Sequence, residues 1–517
     1  MAAFSDFRNE PFADFSKPEN RQAMESALAA VRAQFGKEYE LHIAGRRLRT
    51  EDKLRSLNPS RPSEIVGVHS RATREIALQA VDEAYCFFPK WSQTPAQERA
   101  EMLFNTVRIL KRRKLEFDAW LVYEAGKTWI EAEADVSEAI DFCDYYARLA
   151  LRMASPDPTV QLPGEHDRMV YLPLGAGVVI PPWNFPLAIL VGMTTAALVA
   201  GNTVVLKPSS DTPTIAAKFA EVLLEAGFPE RSFSLCVGSG SAIGDLLVTH
   251  PKTRFVSFTG SKEVGLRINE LAAKVQPGQI WIKRVVAEMG GKDAIIVDDE
   301  ADIDSAVEGV TVSAYGYQGQ KCSACSRAIV SEKIHEEFVE KLKARVARIT
   351  VGPADDPGNY MGPVINDGAR QSILKYIEIG KQEGTLLCGG DAADGDGYFL
   401  QPTVFTGIES TDRVFQEEIF GPVLAVTKAR DFDHAIQLAN DSEYGLTGAV
   451  YSRNREKLDK AARLFHVGNL YFNRKCTGAM VGAHPFGGFN MSGTDSKAGG
   501  PDYLLQFMQA KSIAEKL

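Results

Sequence analysis

Apolar residues recur at helical spacing in three segments of the N-terminal region, at residues 22–35, 74–88 and 96–150. A period of about 3.6 residues predicts amphipathic helices there. Residues 40–70 contain short runs of β-branched residues broken by turn residues, which predicts short strands. Residues 155–175 are interrupted by proline, so we predict extended chain without helix.

From Gly177 onward, short apolar runs alternate with amphipathic segments. Strands are predicted at 177–180, 202–208, 232–238, 254–260, 293–298 and 327–331, and helices at 213–226, 242–250, 262–274, 303–318 and 334–349. Thr212 is expected to cap the helix that starts with Pro213, and Gly227 to end it. Repeated strand–helix units predict an α/β fold class with parallel sheets, in two successive lobes separated by a cleft.

Composition excludes several classes of protein. The chain has 517 residues, with 58 Lys and Arg against 67 Asp and Glu and a formal net charge of −9. At about 150 residues per domain, this length predicts two to four domains. An acidic chain lacks the basic face of a general nucleic-acid binder, so no nucleic acid is expected as a partner. No apolar run reaches the ~20 residues that span a bilayer, so no membrane is expected either.

The cysteines are odd in number and scattered, at positions 86, 143, 236, 322, 325, 388 and 476. A secreted disulfide framework has paired cysteines at closer spacing. The N-terminus carries Asp6, Glu10 and Asp14 and lacks the apolar core of a signal peptide. We therefore predict a cytoplasmic protein with reduced thiols.

Two segments are candidates for nucleotide binding. Residues 238–244 resemble the dinucleotide fingerprint G-x-G-x-x-G but have one residue too many. Residues 258–261, FTGS, end a strand and open a helix, so that backbone N–H groups and the Ser261 hydroxyl could hold a phosphate. Local spacing by itself favours the alternative, an N-cap serine without any ligand.

Cys322 and Cys325 form the sequence C-S-A-C. This pattern leaves three interpretations open: a redox dithiol, a single nucleophile at Cys322, or buried structural thiols. A zinc site would need further ligands, and neither a second C-x-x-C nor a nearby histidine pair exists, so no metal is expected.

Glu288 and Asn184 are candidate polar catalytic groups. Glu288 ends an apolar strand and precedes two glycines, so partial desolvation would raise its pKa and suit a general base. The alternative is an ion pair with Lys283 or Lys292. Asn184 lies in the proline-stiffened loop IPPWNFP, where its amide could donate to an oxyanion or make local turn hydrogen bonds.

Seven motifs occur together in a fixed order: PWNFP (182–186), KPS (207–209), FTGS (258–261), EMGGK (288–292), GQKC (319–322), EEIFGPV (417–423) and PFGGF with SG (485–493). In this set the chain resembles the NAD(P)-dependent aldehyde dehydrogenase superfamily over residues 40–515. A chance match to all seven is negligible.

The resemblance implies a catalytic set. Cys322 is the expected nucleophile, which attacks the aldehyde carbon to give a thiohemiacetal. The Asn184 amide and the Cys322 backbone N–H are expected to hold the oxyanion. Hydride leaves to the nicotinamide, and Glu288 then activates water to hydrolyse the thioester. Cys325 is a neighbour in this interpretation.

The resemblance also implies a cofactor site for NAD, with NADP accepted too, because Ser210 stands where many NAD-selective members carry glutamate. Lys207 is expected at the adenosine ribose, Ser261 at the pyrophosphate and Glu418 at the nicotinamide ribose, with Phe420 near the ring. The full set expected to bind cofactor is Pro182, Trp183, Lys207, Ser210, Gly260, Ser261, Glu418 and Phe420.

Within the superfamily, the chain looks like the branch that oxidises L-glutamate γ-semialdehyde to L-glutamate in proline breakdown. The resemblance lies in residues 281–298, the N-terminal NEPFADF and Ser323 after Cys322. It implies substrate contacts from Phe185, Ser323, Thr477, Gly478, Ala479 and Phe486. Succinate semialdehyde is the alternative small substrate, and both phenylalanines could instead be core residues.

The family pattern divides the chain into three parts. A variant doubly wound cofactor domain takes residues 1–156 and 177–289, and an α/β catalytic domain takes 290–470. A β oligomerisation flap is expected at 157–176 and 495–517. An exposed strand there would pair with another subunit, which implies a homodimer or an assembly of dimers.

Overall fold

The computed structural model describes residues 6–155 and 157–517, and its first part is helical around a group of short strands. The helices are α1 (Pro18–Arg32), α2 (Arg74–Trp91), α3 (Ala96–Arg112), α4 (Lys114–Ala125) and α5 (Trp129–Met153). The strands are β1 (Lys37–Tyr39), β2 (Leu41–Ile43), β3 (Arg46–Leu48), β4 (Lys53–Asn58), β5 (Arg61–Ser70), β6 (Asp157–Pro158) and β7 (Glu165–Pro173). The predicted helices and the strands between them are confirmed.

A seven-stranded sheet follows, in the order β12-β11-β8-β9-β10-β2-β3. Its further strands are β8 (Ala176–Ile180), β9 (Thr203–Leu206), β10 (Phe233–Leu235), β11 (Phe255–Thr259) and β12 (Arg284–Glu288). Its helices are α6 (Ala188–Val199), α7 (Pro213–Glu225), α8 (Asp245–Thr249) and α9 (Lys262–Ala273). Strands β8 to β12 run parallel, as predicted, and β2 and β3 extend the sheet antiparallel.

A second seven-stranded sheet has the order β15-β16-β17-β14-β13-β19-β20, parallel except for β15. The strands after residue 290 are β13 (Asp293–Val297), β14 (Cys325–Ser331), β15 (Thr385–Cys388), β16 (Thr403–Thr406), β17 (Val423–Ala429), β18 (Tyr444–Gly445), β19 (Thr447–Tyr451), β20 (Asn469–Phe472), β21 (Phe489–Asn490) and β22 (Met508–Lys516). The helices are α10 (Ile303–Tyr315), α11 (His335–Val346), α12 (Asp367–Glu383), α13 (Arg413–Gln416), α14 (Phe432–Asn440) and α15 (Arg455–Leu464).

Both large sheets are covered by helices on their two faces. All residues of β9 and of β13 are therefore buried, as continuous apolar strands of parallel sheets are. The predicted division at residue 290 stays a prediction, and the two sheets lie on either side of it. In the described part of the chain, no helix is long and apolar enough to cross a membrane.

A small sheet, β22-β7-β6, joins the two segments of the expected flap. Strand β22 pairs antiparallel with β7 along its whole length, from Met508 opposite Pro173 to Lys516 opposite Glu165. Most of β22 is exposed, and its outer edge has no neighbouring strand among the described residues. Its role in assembly stays a prediction.

Two local expectations need correction. Thr212 occupies the N-cap position of α7, but its side chain accepts no capping hydrogen bond. The Glu124 carboxylate does so instead, accepting from the backbone N–H groups of Thr214 and Ile215 at 2.7 and 2.8 Å. Helix α10 ends at Tyr315 and not near Gln318, because the two residues at 317 and 318 adopt positive φ angles of 49° and 58°.

Candidate active site

The carboxyl ends of the parallel strands in the first large sheet meet at one edge, where ligands bind in open α/β sheets. Four sequence-predicted site segments lie at those ends: Pro182–Phe185 after β8, Lys207 and Ser210 after β9, Gly260 and Ser261 after β11, and Glu288 as the last residue of β12. The Gly260 N–H donates to the Glu288 carbonyl at 3.1 Å, which joins two of these ends. Topology thus collects positions that are distant in sequence.

Cys322 lies in the loop between α10 and β14, at the wall of a cavity of about 480 Å³. The side chain is partly exposed, so a ligand in the cavity can reach the thiol. Burial, followed by the nearby Glu288 and Asp293 carboxylates, raises the pKa of the Cys322 thiol well above its usual range. Gly291 is required beneath this loop, because a Cβ there would lie 2.6 Å from the Cys322 carbonyl oxygen.

Glu288 lines the same cavity. Burial raises the pKa of this carboxyl to about 8. Its Oε1 has no hydrogen-bond partner among the described residues. The alternative ion pairs are wrong, because Lys283 Nζ donates to the Val248 carbonyl at 2.7 Å and the buried Lys292 Nζ has no partner within residues 6–155 and 157–517. An unpaired buried carboxyl is suited to gain and lose a proton near neutral pH.

Asn184 is 4% exposed, and its Nδ2 donates to the Gln320 carbonyl at 3.0 Å. Gln320 precedes Cys322 by two residues, so this bond joins the proline-stiffened loop to the nucleophile loop. An asparagine amide carries two N–H groups, and one bond leaves a second donor for an oxyanion.

Glu418 and Phe420 reach the first sheet from the second lobe. Glu418 Oε1 accepts from the Gly291 N–H at 3.1 Å, and a side chain on Gly290 would collide with its carboxylate. Burial raises the pKa of Glu418 to about 7. Phe420 has a φ of +58°, and its ring meets Trp183 edge-on at 5.4 Å. The structure therefore brings these three expected cofactor residues together.

The other expected cofactor residues lie at the carboxyl edge of the first large sheet, after β8, β9 and β11. Lys207 is buried, its Nζ donates to the Pro208 carbonyl at 3.4 Å, and burial lowers its pKa. Ser261 is the N-cap of α9 and accepts from the Val264 N–H at 3.4 Å. The capping interpretation of Ser261 is therefore confirmed, and its contact with a phosphate stays a prediction.

Of the six expected substrate residues, five line the cavity with Cys322: Phe185, Ser323, Gly478, Ala479 and Phe486. Thr477 is 2% exposed and does not line it. Its carbonyl, with that of Gly478, instead accepts from Arg474 Nη2 at 3.1 Å.

The sequence did not identify the charged residues on α5, or those just before its first residue, as parts of the site. Glu131 and Glu138 line the cavity, and Glu131 Oε2 lies 2.6 Å from Lys321 Nζ, next to the nucleophile. Lys127 is fully buried with its Nζ 3.8 Å from the Phe185 ring centroid and 3.3 Å from Asp135 Oδ2. Among these charged residues, Lys321 alone could have been linked to the site from the sequence, because it lies inside the GQKC motif.

Cys325 is a buried structural thiol, 1% exposed, with its Sγ 3.4 Å from the Arg327 carbonyl. All seven cysteines are free. The dithiol interpretation therefore has no support from the geometry at Cys325.

The sequence profile of the aldehyde dehydrogenase family matches residues 47–513. The chain belongs to this family. A 1-pyrroline-5-carboxylate dehydrogenase from Geobacillus thermodenitrificans is 56% identical over 509 residues, which cover 98% of this chain and 99% of that protein.

Solved structures of the family agree with the fold. The 1-pyrroline-5-carboxylate dehydrogenase from Thermus with bound NAD is 50% identical, has a TM-score of 0.98 and covers both chains completely. Betaine aldehyde dehydrogenase from Staphylococcus aureus in complex with NAD⁺ is 31% identical, with a TM-score of 0.88 over 95% of this chain and 96% of that chain. The family and fold predictions are thereby confirmed.

Proposed function

We propose that the protein oxidises L-glutamate γ-semialdehyde, the open form of Δ1-pyrroline-5-carboxylate, to L-glutamate with NAD as hydride acceptor. The observation that carries the proposal is one cavity whose wall holds Cys322, Glu288 and the Gly478–Ala479 turn. A thiol, a titratable carboxyl and an anion-binding turn are the three parts that this oxidation requires. The full-length relatives of 50–56% identity carry the name of this activity.

In the proposed reaction, the Cys322 thiol loses its proton to solvent, and the resulting thiolate attacks the aldehyde carbon while the C=O π electrons move to the oxygen. The Asn184 amide and the Cys322 N–H stabilise the oxyanion of the thiohemiacetal. The chemistry that a bound NAD supplies is acceptance of the hydride from that carbon, which leaves a thioester on Cys322. Glu288, ionised above a pKa of about 8, takes a proton from water. The hydroxide equivalent adds to the thioester carbonyl carbon and expels the Cys322 thiolate, which releases the carboxylic acid. Glu288 then passes the proton it took to solvent.

The residues at the sheet edge suit a dinucleotide. Ser261 begins a helix of twelve residues, so the first N–H groups of α9 carry the positive end of its dipole. Glu418 offers a partly buried carboxylate for a ribose hydroxyl, and the contact between Trp183 and Phe420 forms an apolar wall. Ser210 puts no negative charge three residues after Lys207, which supports acceptance of NADP as well as NAD.

The backbone geometry of the turn at Gly478 suits the binding of a substrate carboxylate. Gly478 has a φ of +75°, which favours glycine. Arg474 engages the carbonyls of Thr477 and Gly478 from one side. In trans peptides the N–H points opposite to the carbonyl, so the N–H groups of Gly478 and Ala479 face away from Arg474. Two adjacent N–H groups form an anion-binding concavity.

The amino group of the substrate distinguishes the two candidate aldehydes. Glu138 lines the cavity and supplies a carboxyl for an ammonium group, which succinate semialdehyde lacks. We expect kcat/KM with NAD to be at least about tenfold higher for L-glutamate γ-semialdehyde than for succinate semialdehyde. Glu138→Gln should reduce that ratio, because it should lower kcat/KM for L-glutamate γ-semialdehyde and leave kcat/KM for succinate semialdehyde unchanged. Equal kcat/KM values for both aldehydes in the unmodified enzyme would contradict the proposal.

Two further parts of the proposal concern the whole protein. The exposed edge of β22 and the exposed Val160 and Leu517 support a homodimer or an assembly of dimers through residues 157–176 and 495–517. The cytoplasmic location rests on the cysteines, which are scattered, odd in number and free. Sedimentation at several concentrations tests the assembly, and a monomer at every concentration would refute it.

A further inference from the structure

Residues 6–16 precede α1 without helix or strand, and we call them the N-terminal strap. Two of its residues, Phe12 and Ala13, line the same cavity as Cys322. Phe12 is 57% exposed and Ile130, another lining residue, is 74% exposed, whereas Glu288 is only partly exposed and its Oε1 atom is inaccessible to solvent. The exposed lining residues mark the mouth of the cavity, so the strap lies at its entrance.

The strap is attached to α5 by hydrogen bonds to two carboxylates. Asn9 Nδ2 donates to Asp141 Oδ2 at 2.8 Å, and the Glu10 N–H donates to Asp141 Oδ1 at 2.7 Å. The Ala13 N–H donates to Glu133 Oε1 at 2.8 Å. Both carboxylates also line the cavity. Hydrogen bonds to charged acceptors are the stronger kind, so this attachment holds the strap in one position.

The strap also contacts the cavity-lining segment that comes after the Gly478 turn in the sequence. The Asn9 amide donates to the Val481 carbonyl at 3.0 Å as well as to Asp141. The Phe7 ring stands edge-on to Tyr145 at 5.1 Å and lies where a Cβ on Gly482 would be 3.1 Å from it. A single asparagine therefore bridges the helix wall and the segment that holds the turn.

From these contacts we infer that the N-terminal strap determines substrate size, with Phe12 as the side chain that narrows the entrance. The inference rests on the proposed function only in using the same cavity. Both Asp141 oxygens accept hydrogen bonds from the strap, which fixes the segment that carries Phe12 at the entrance of the cavity. The strap thereby leaves the inner end of the cavity to a short aldehyde and excludes a bulky one.

The test compares two simple aldehydes, propanal and benzaldehyde, so that it does not depend on the identity of the natural substrate. Phe12→Ala should raise the ratio of kcat/KM for benzaldehyde over propanal by about tenfold or more, because apolar pocket contacts discriminate by that order. Phe15→Ala is the matched control, since Phe15 belongs to the same strap but packs on Trp129 and does not line the cavity.

A ratio within about twofold of the unmodified enzyme for Phe12→Ala, or an equal rise in both variants, would overturn the role of Phe12.

Asn9→Leu gives a second measurement that does not rely on the aromatic ring. Hydrogen exchange at the Glu10 and Ala13 amides should accelerate in this variant, and the benzaldehyde ratio should rise with it. If neither the hydrogen exchange of these amides nor the ratio of kcat/KM for benzaldehyde over propanal changes, the proposed attachment of the strap by Asn9 is refuted. An enzyme that oxidises propanal but not L-glutamate γ-semialdehyde would refute the proposed function and leave this test intact.

Discussion

Replacing Glu288 with glutamine removes the proposed base while keeping the size and polarity of the side chain. The carboxyl is buried and its Oε1 has no hydrogen-bond partner among the described residues, so the exchange breaks no ion pair. We therefore expect the melting temperature to stay the same or to rise, because a buried group that can ionise is replaced by a neutral one. The effect should lie in the hydrolysis of the thioester.

The magnitude follows from the pKa of about 8. Glu288 would be about one-tenth ionised at pH 7 and about half ionised at pH 8, so hydrolysis should accelerate about fivefold between these values. A positioned general base contributes about 100- to 10,000-fold. Glu288→Gln should therefore lower the steady-state rate by that factor and abolish its rise with pH.

Rapid mixing with NAD and aldehyde, followed by NADH absorbance, separates the two half-reactions. The variant should release a single equivalent of NADH per active site and then stall, because attack by Cys322 and hydride transfer do not need the base. Glu340→Gln, an exposed exchange on α11, is the control and should leave the trace unchanged. No burst together with an unchanged steady-state rate would refute the assigned role of Glu288.

Four other exchanges test the remaining parts of the site. Cys322→Ala should abolish NADH formation but leave NAD binding, measured by fluorescence titration, largely intact. Cys325→Ala should keep most of the activity. Substantial turnover by the Cys322→Ala variant would disprove the role of Cys322 as the nucleophile. Asn184→Ala should lower kcat by about 100- to 1,000-fold, the effect of one oxyanion donor, and a change in KM alone would argue for simple substrate binding. Ser210→Glu should raise the KM for NADP more than that for NAD, since a carboxylate would repel the extra phosphate, and equal shifts would place Ser210 away from the ribose.

Local patterns along the chain were enough for the elements and for the catalytic candidates. The alternation after Gly177 predicted the strands β8 to β11, β13 and β14, because a parallel sheet covered by helices needs continuous apolar runs. The motifs around Cys322 and Glu288 were recognisable because each is a contiguous string of residues. The catalytic roles of these two residues stay predictions until the kinetic tests are made.

Contacts between distant segments were decided only by the tertiary structure. Glu124 caps α7 from 90 residues away, and Asn9 reaches Asp141 and Val481 across 132 and 472 residues. Lys127 lies against Phe185 for the same reason, that packing brings their elements together. Periodicity and capping signals act within a few turns of chain, whereas such pairs depend on which faces pack and in what register. The sequence therefore determined the reactive groups, and the fold decided which side chains hold, desolvate and enclose them.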